Sequence, residues 1–260
     1  MKVNILSLDG EKSGEMEMPD VFGGEVRPDL ILRAVRAEMS KQYQPKGAYR
    51  WAGLQTSADY IGNKDAYRTM KNRGQAMLPH EKLPKGRIGR VRRIPFAVTG
   101  RRAHPPKPEK ILVEKINRKE YRKALLSAIS ASASQESVKL RTGAEYKVPY
   151  ILVDDIEQVS KAKELLKVLK SLGIAVEVSK SSQGRKRVTG FRRKRLNRAY
   201  KVRKSILFVV SKDCPLVKSG SGIPGASVVK ADKIKVGDLA PGGLPGRIVV
   251  WSSSAVSMVG

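Results

Sequence analysis

The sequence predicts an α/β protein, built as one globular domain with a mainly parallel central sheet flanked by helices. Short runs rich in β-branched residues alternate along the chain with amphipathic helical segments, the pattern typical of such a sheet. The run Ile206–Val210 is continuously apolar, as expected for a strand covered on both faces. A chain of 260 residues, 40% of them hydrophobic, is also long enough to bury a substantial core.

The first forty residues predict a strand followed by a helix. Apolar residues dominate positions 3–8, and Asp9 and Gly10 then favour a turn. Pro28 suits the first turn of a helix, where its missing N–H removes no hydrogen bond. The apolar residues after it recur at helical spacing: Ile31, Ala34, Val35 and Met39.

Helical periodicity returns at Asn117, which with Glu120 has the spacing of an N-cap and its partner. Beyond this helix, short runs rich in apolar residues predict further strands. They lie at residues 150–153, 175–178, 205–210, 226–229 and 247–251.

A strongly amphipathic helix is predicted between the first two of these later strands. Its apolar stripe runs from Val159 to Leu169. We expect Asp155 to cap its N-terminus and Gly173 to follow its C-cap, because glycine readily adopts the left-handed conformation found there.

Nearly all of the net charge of +28 lies in two segments. Residues 41–110, the central basic segment, carry 17 Lys and Arg against 4 Asp and Glu, a net of +13. Residues 179–205, the second basic segment, carry 12 Lys and Arg and no acidic residue. Like charges at this density repel one another unless a polyanion neutralises them. The sequence therefore indicates a nucleic-acid partner ahead of an anionic membrane or an acidic protein.

The two basic segments join the domain in different ways. Glycine and proline interrupt residues 41–110 throughout, and a stretch this long without periodicity is either functional or disordered. We expect residues 1–40 and 111–260 to form the globular domain, with 41–110 inserted as a long extended loop that orders on assembly. Two arms of about 35 residues would reach on the order of 100 Å into a folded RNA. Residues 179–205 lie within the domain, anchored between two predicted strands.

The basic side chains have the chemistry of RNA contacts. The planar guanidinium of arginine can grip two phosphate oxygens at once, and aromatic rings between the arginines can stack on unpaired bases. The predicted RNA-binding residues of the central basic segment are Arg50, Trp51, Arg73, Gln75, Arg87, Arg90, Arg92, Arg93, Arg101, Arg102, His104 and Lys107. Those of the second basic segment are Arg185, Lys186, Arg187, Arg192, Arg193, Lys194, Arg195 and Arg198. The competing interpretations are a solvated loop that binds any polyanion and a localisation-type basic run.

Signals of catalysis are weak. Gly220, Gly222 and Gly225 have the spacing of a dinucleotide-binding loop, but such a loop closes a strand and opens a helix, whereas a strand is predicted to follow here. Asp154 and Asp155 could form a metal or acid–base pair, although a helix cap beside a strand end explains the second residue. One cysteine and two distant histidines offer few metal ligands. We expect no cofactor, no metal site and no enzymatic activity.

Three motifs stand out in the central basic segment. They are WAGLQTSA at residues 51–58, RGQA at 73–76 and IPFAVTGRRAHPPK at 94–107. Together they resemble the central loop of ribosomal protein four of the large subunit, archaeal type. The resemblance continues through the helix at Asn117 and the strand at 150–153 and covers essentially the whole chain, with GRRAHPP its most specific part.

The resemblance implies a globular domain on the outer face of the large ribosomal subunit and a loop threaded into its rRNA. The inner part of the loop would help to form the narrow region of the peptide exit tunnel. The residues implied nearest to the tunnel are Arg73, Gln75, Met77, Pro79 and His80. Residues 64–72 look longer than the family's link before RGQA, so the loop apex is defined only to within several residues. The implied partners are large-subunit rRNA, neighbouring ribosomal proteins and the nascent peptide near the apex, in the cytoplasm and without a membrane.

The leading hypothesis is a structural protein of the large ribosomal subunit that binds its rRNA, supports its folding and assembly, and helps to line the exit tunnel. The alternative is an RNA-modifying or nucleotide-dependent α/β enzyme, which saturable cofactor binding at the glycine motif would favour. A third interpretation is a non-specific nucleic-acid binder, which would show little preference for folded rRNA over random duplex.

Overall fold

The computed structural model describes residues 2–190 and 199–259, and the chain divides into two units. The body consists of Met1–Gln42 and Glu114–Gly260, and the inserted unit consists of Tyr43–Val113. The body contains the central sheet and all of the α-helices of the described residues. The domain boundaries expected from the sequence, and the extended form of residues 41–110, stay predictions.

The strands and helices are numbered along the chain. The strands are β1 (Lys2–Leu6), β2 (Lys12–Glu17), β3 (His80–Lys82), β4 (Ile88–Val91), β5 (Tyr150–Leu152), β6 (Lys186–Arg187), β7 (Tyr200–Lys201), β8 (Ile206–Val210), β9 (Ser227–Lys230) and β10 (Ile248–Ser252). The helices are α1 (Pro28–Ser40), α2 (Arg118–Ala133), α3 (Gln135–Thr142), α4 (Ala162–Ser171), α5 (Ala175–Gln183), α6 (Leu216–Ser221), α7 (Val236–Leu239) and α8 (Ser253–Val259).

Six strands form the central sheet in the order β2-β1-β5-β10-β8-β9. β1 pairs with β2 in antiparallel fashion, and every other neighbouring pair in this sheet is parallel. The strands β8 and β10 are buried along their whole length, which explains their continuous apolar sequences. The predicted α/β fold with a mainly parallel sheet flanked by helices is confirmed.

Helices cover both faces of the sheet because successive side chains of a strand point to opposite faces. On β10, Val249 and Trp251 join an apolar cluster with α1, α2, α7 and α8. Ile248 and Val250 join a second cluster with α4, α5 and α6 on the other face. Phe22 meets the Trp251 ring edge-on, with 5.2 Å between the ring centroids. The body therefore has a core on each side of its sheet.

The helix predicted after Pro28 is present as α1. Ile31, Ala34 and Val35 are buried, as their helical spacing predicts, whereas Met39 is 45% exposed. Ala37 and Ser40 are also buried, so five residues of α1 are shielded from solvent.

A fully buried arginine, Arg247, ties together neighbouring segments at the start of the parallel strands. Its guanidinium donates to the carbonyl oxygens of Ser205 at 3.2 Å, Ile206 at 2.6 Å and Asp238 at 2.8 Å. It also donates to Ser227 Oγ at 2.6 Å. Burial lowers the pKa of Arg247 to about 9, which leaves it charged at neutral pH. These hydrogen bonds satisfy the condition for burying a charged guanidinium, which is that its N–H groups find acceptors.

One of the predicted strands is wrong. Residues 175–178 form the first turn of α5, not a strand. A run of apolar residues this short does not separate a strand from a helix. Glu177, Val178 and Ser181 are the buried residues of α5, and this spacing brings side chains to one side of a helix but not of a strand.

The capping predictions have different outcomes. Gly173 lies just beyond α4 with a φ of +73°, which confirms its predicted position. The prediction for Asp155 is wrong, because α4 begins only at Ala162 and has no side-chain cap. Its neighbour Asp154 instead accepts hydrogen bonds from Ser254 in the first turn of α8, from N–H at 2.9 Å and from Oγ at 2.5 Å. An aspartate at the end of this strand does interact with the start of a helix, but the aspartate is Asp154 and the helix is α8.

Candidate nucleic-acid interface

The two arms of the inserted unit lie side by side. Gly47 abuts Pro108 so closely that a Cβ on the glycine would stand 2.4 Å from Pro108 Cδ. Further along the arms, Gly53 has a φ of +76°, and a Cβ there would stand 2.8 Å from Arg101 Cβ. Glycine is therefore required at both positions, once for space and once for space and conformation.

A short hairpin of β3 and β4 organises the middle of the inserted unit. His80 is buried in it, with Nδ1 3.0 Å from Gly89 O and Nε2 3.2 Å from Ala76 O. Arg92 Nε pairs with the Glu81 carboxylate at 2.8 Å. These polar contacts hold the hairpin where few apolar side chains are available.

Most cations of the inserted unit face solvent. It carries 16 Lys and Arg, and among the described residues only Arg92 of these pairs with a carboxylate. The predicted RNA-binding residues of this unit that are exposed are Arg50, Trp51, Arg73, Gln75, Arg87, Arg90, Arg93, Arg102, His104 and Lys107. Arg92 and Arg101 are half-buried, and Arg93 donates from Nη1 to Ala58 O at 3.2 Å. The exposed guanidinium and ammonium groups are free to neutralise a polyanion.

Aromatic rings are exposed among these cations. The exposed rings are those of Tyr43, Tyr49, Trp51, Tyr60, Tyr67 and Phe96. The Arg68 guanidinium carbon lies 5.3 Å from the Tyr67 ring centroid. A surface that combines arginine with exposed flat rings has the chemistry of single-stranded nucleic-acid sites.

The residues implied nearest to the tunnel separate into two groups. Arg73, Gln75 and Met77 are exposed, whereas Pro79 is half-buried and His80 is buried in the hairpin. Beside them is a cavity of about 160 Å³. Its charged lining consists of Arg68, Arg73, Lys82 and Arg87 with Asp59 and Glu81, and His80 also lines it.

Within the described part of the second basic segment, β6 and β7 pair as a small antiparallel ribbon. Arg185, Lys186 and Arg187 are exposed on it. The Arg185 guanidinium carbon lies 3.8 Å from the centroid of the Tyr200 ring. The other predicted residues of this surface lie outside the described residues: Arg192, Arg193, Lys194, Arg195 and Arg198.

The sequence did not point to Glu177, a buried carboxylate that interacts with residues on both sides of this ribbon. Glu177 is 1% exposed, and its Oε1 accepts from Lys180 Nζ at 2.6 Å and from Tyr146 OH at 3.2 Å. Its Oε2 lies 3.8 Å from Arg203 Nη2. Burial and the adjacent carboxylate raise the pKa of Tyr146 to about 12. Lys180 precedes the ribbon and Arg203 follows it, so one anion holds both. The available signal was an acid three residues before a lysine in a basic stretch.

The features that suggested an enzyme have structural explanations. Gly220 lies in α6 and packs so tightly that a Cβ would stand 2.4 Å from Val228 Cγ2. The glycine motif thus ends a helix and precedes a strand, the reverse of a dinucleotide-binding loop. Burial alone would raise the pKa of Asp154, but the hydrogen bonds from Ser254 outweigh it and lower that pKa. In the described part of the chain, no three His, Cys, Asp or Glu side chains are grouped to hold a metal ion.

Within residues 2–190 and 199–259, no helix combines the length and apolar character needed to cross a membrane.

Comparison with known proteins identifies the family. The model of the ribosomal protein L4/L1 family matches residues 16–260. The large ribosomal subunit protein uL4 of Archaeoglobus fulgidus is 41% identical over 261 residues, which cover 100% of this chain and 98% of that protein. The proteins of the same name from Methanococcus aeolicus and Methanocaldococcus jannaschii are 41% and 40% identical. Those matches cover 100% and 98% of this chain and 98% and 97% of the two relatives.

These matches and the fold show that the chain is a ribosomal protein with an α/β fold. The chain belongs to the ribosomal protein L4/L1 family and is of the archaeal type. The resemblance drawn from the sequence motifs is confirmed. Membership of this family places the chain on the ribosome in the cytoplasm, and it confirms that the chain is not an enzyme.

Proposed function

We propose that the chain is a structural component of the large ribosomal subunit that binds large-subunit rRNA and supports its folding during assembly. The observation that carries this proposal is the exposed charge of the inserted unit, where 16 Lys and Arg face a single pairing carboxylate among the described residues. These cations repel one another in the free protein, and RNA phosphates remove that repulsion while releasing counterions.

The inserted unit and the second basic segment supply two separate RNA-binding surfaces. Exposed rings in the inserted unit, such as Trp51 and Tyr67, add base stacking to phosphate neutralisation. Neighbouring ribosomal proteins contact the remaining surface of the body, whose charge is close to balanced, because the 163 residues outside the two basic segments carry a net of only +3.

The inserted unit also helps to line the nascent-peptide exit tunnel. Exposure favours Arg73, Gln75 and Met77 for this role, since each presents its side chain to solvent. His80 supports them indirectly, because its ring is buried and its nitrogens face the carbonyls of the hairpin.

Excision of the inserted unit tests the rRNA-binding proposal. Gly47 and Pro108 are in contact, so residues 48–107 can be replaced by a short Gly-Ser linker without stretching the chain. We expect weaker binding to transcribed large-subunit rRNA and a lower dependence of log K on log salt, by roughly 0.7–0.9 for each phosphate that is no longer neutralised. Circular dichroism and thermal melting of the same variant control for folding of the body. Unchanged affinity and salt slope in a folded variant would overturn the proposal.

A single-cysteine cross-link tests the tunnel proposal. Met77→Cys in a Cys214→Ser background places one thiol at an exposed position of the inserted unit. In assembled ribosomes carrying a stalled peptide, this thiol should cross-link to the nascent chain. Leu140→Cys, an exposed position on the body, is the matched control and should not. A cross-link from position 140 but not from 77 would refute the assignment.

A further inference from the structure

A cleft of about 620 Å³ opens beside the β6–β7 ribbon of the body. Arg185 and Tyr200 line one wall, and the glycine-rich loop that precedes β9 lines the other through Gly222, Pro224 and Gly225. This volume lies within the range of pockets that hold small ligands, about 300–1,000 Å³. All of the residues that line the cleft belong to the body.

The first wall is a flat cationic platform. The Arg185 guanidinium lies over the Tyr200 ring, 3.8 Å from its centroid, and Tyr200 remains 42% exposed. A planar guanidinium stacked on a phenol ring presents delocalised positive charge over a flat surface. Nucleobases stack on such surfaces whatever their sequence, because every base has a π-face.

The second wall is formed by residues 221–226, two of which are glycines. Gly225 has a φ of +83°, and a Cβ there would stand 2.6 Å from Arg203 O and 2.7 Å from Ser181 Oγ. Only glycine therefore brings this loop so close to the flank of α5. The glycine spacing that the sequence shares with dinucleotide-binding loops thus lets this wall pack closely against α5 and does not open a helix.

The charge around the cleft selects its occupant. Lys186, Arg187 and Lys201 are exposed on the ribbon, and residues 179–205 contain no acidic side chain. Phosphates that flank a bound base would meet these cations outside the cleft. An acidic peptide would satisfy the cations but would leave the flat platform unused.

We infer that the cleft receives an unpaired RNA base, which extends the Arg185–Tyr200 stack while its flanking phosphates contact the ribbon. This inference rests on the proposed rRNA-binding function and assigns one site within it. Glu177 positions the ribbon, since it holds Lys180 and Arg203 on either side.

Stacking and charge are separable by mutation in the full-length protein. With transcribed archaeal large-subunit rRNA as the probe, Tyr200→Ala should weaken binding about five- to hundredfold, the range expected for one stacked base. The salt slope should not change, because every cation that meets a phosphate is still present. Tyr200→Phe keeps the ring and should bind as wild type. Lys186→Ala, on the same ribbon but outside the cleft, is the matched control and should lower the slope by roughly 0.7–0.9.

Arg185→Lys sharpens the test, because it keeps the charge and removes the planar fork. We expect its affinity to fall between those of wild type and Tyr200→Ala, again with an unchanged salt slope. Thermal melting of each variant identifies any that fail to fold, and Tyr200→Phe and Arg185→Lys keep the size and charge of the originals.

A photo-cross-link locates the base. In a transcript containing 4-thiouridine, cross-linked peptides should include Tyr200 or residues 221–226, and Tyr200→Ala should remove them. The inference is overturned if wild type binds rRNA while Tyr200→Ala binds within twofold of it, or if cross-links avoid the cleft. A wild-type protein that does not bind rRNA at all overturns the proposed function as well, so the two failures are distinguishable.

Discussion

The body and the inserted unit are stabilised by different means. The body encloses two apolar clusters, one on each face of its sheet. In the inserted unit, the buried residues are only Ala58, Thr69, Met70 and His80. Burial of apolar surface contributes about 25 cal/mol per Å², so four buried residues supply little of it. One chain therefore combines a region stabilised by the hydrophobic effect with a region that buries little apolar surface of its own.

The two tryptophans of the chain provide the sharpest test of this difference. Trp251 is fully buried in the body and Trp51 is 55% exposed in the inserted unit. Trp251→Ala should lower the free energy of unfolding by about 3–5 kcal/mol. Trp51→Ala should change it by no more than about 0.5 kcal/mol. Urea denaturation followed by circular dichroism measures both.

For RNA binding, we expect the substitution of Trp51 to have the larger effect. Trp51→Ala should weaken binding to large-subunit rRNA by about 1–3 kcal/mol if its ring stacks on a base. A Trp251→Ala protein that is still folded at low temperature should bind as wild type. Equal effects of the two substitutions on unfolding would contradict the comparison.

Glu177→Gln should have the next largest effect on the stability of the body. It weakens a buried carboxylate's interactions with Lys180 and Tyr146, and we expect the free energy of unfolding to fall by about 1–3 kcal/mol. The decrease stays below the value for a fully buried pair because the Lys180 side chain is 38% exposed and can reach water. The control is Glu145→Gln, which breaks the exposed pair with Lys139 and should cost about 0–1 kcal/mol. Similar decreases from both would show that burial does not strengthen the first pair.

Two arginine pairs that are neighbours in sequence should behave differently. Arg87 and Arg90 are exposed, so replacing both with Ala should lower the salt slope of rRNA binding by roughly 0.7–0.9 for each phosphate that they neutralise. Arg92 and Arg93 also bind Glu81 and Ala58 O within the inserted unit. Replacing these two should additionally speed amide hydrogen exchange in β3 and β4. Identical exchange in the two double variants would show that the internal contacts are not formed in solution.

Asp154→Asn should have the smallest effect, about 0.5–1 kcal/mol at neutral pH. Hydrogen bonds from Ser254 hold the pKa of Asp154 below its ordinary value of 3.8. A carboxyl with a depressed folded-state pKa contributes stability above its unfolded pKa, and this contribution disappears as pH falls through the folded value. The difference in melting temperature between wild type and variant should therefore shrink from pH 7 to pH 3. A difference that does not vary with pH would mean that Asp154 is not ionised in the folded protein.

The fold was largely predictable where apolar runs are long or end at a residue such as glycine. Ile206–Val210 is a central strand and Gly173 follows a helix, both as predicted. The strand β2 was not predicted, because its sequence KSGEME has only a weak apolar alternation. It becomes a strand through pairing with β1, where Met16 lies opposite Val3. Pairing of this kind depends on a partner and leaves little trace in the segment itself.

The sequence predicted the positive charge of the candidate interface but not which of its side chains are exposed or which contacts they make. The excess of Lys and Arg identified both basic segments, yet it did not separate exposed Arg87 from half-buried Arg92. Nor did it reveal that His80 is buried or that Glu177 holds the ribbon. Each of these depends on a contact between residues that are not adjacent in the chain.

The sequence by itself determined that this protein carries a strong positive charge, an α/β pattern and the motifs of its family, because these are properties of residues taken one at a time or in short runs. Only the tertiary structure decided which cations are exposed and which are bound internally. It also decided that the Arg185–Tyr200 pair lines a cleft together with the loop that precedes β9. The physical reason is that exposure and stacking depend on distances between groups, and folding sets those distances by bringing remote segments together.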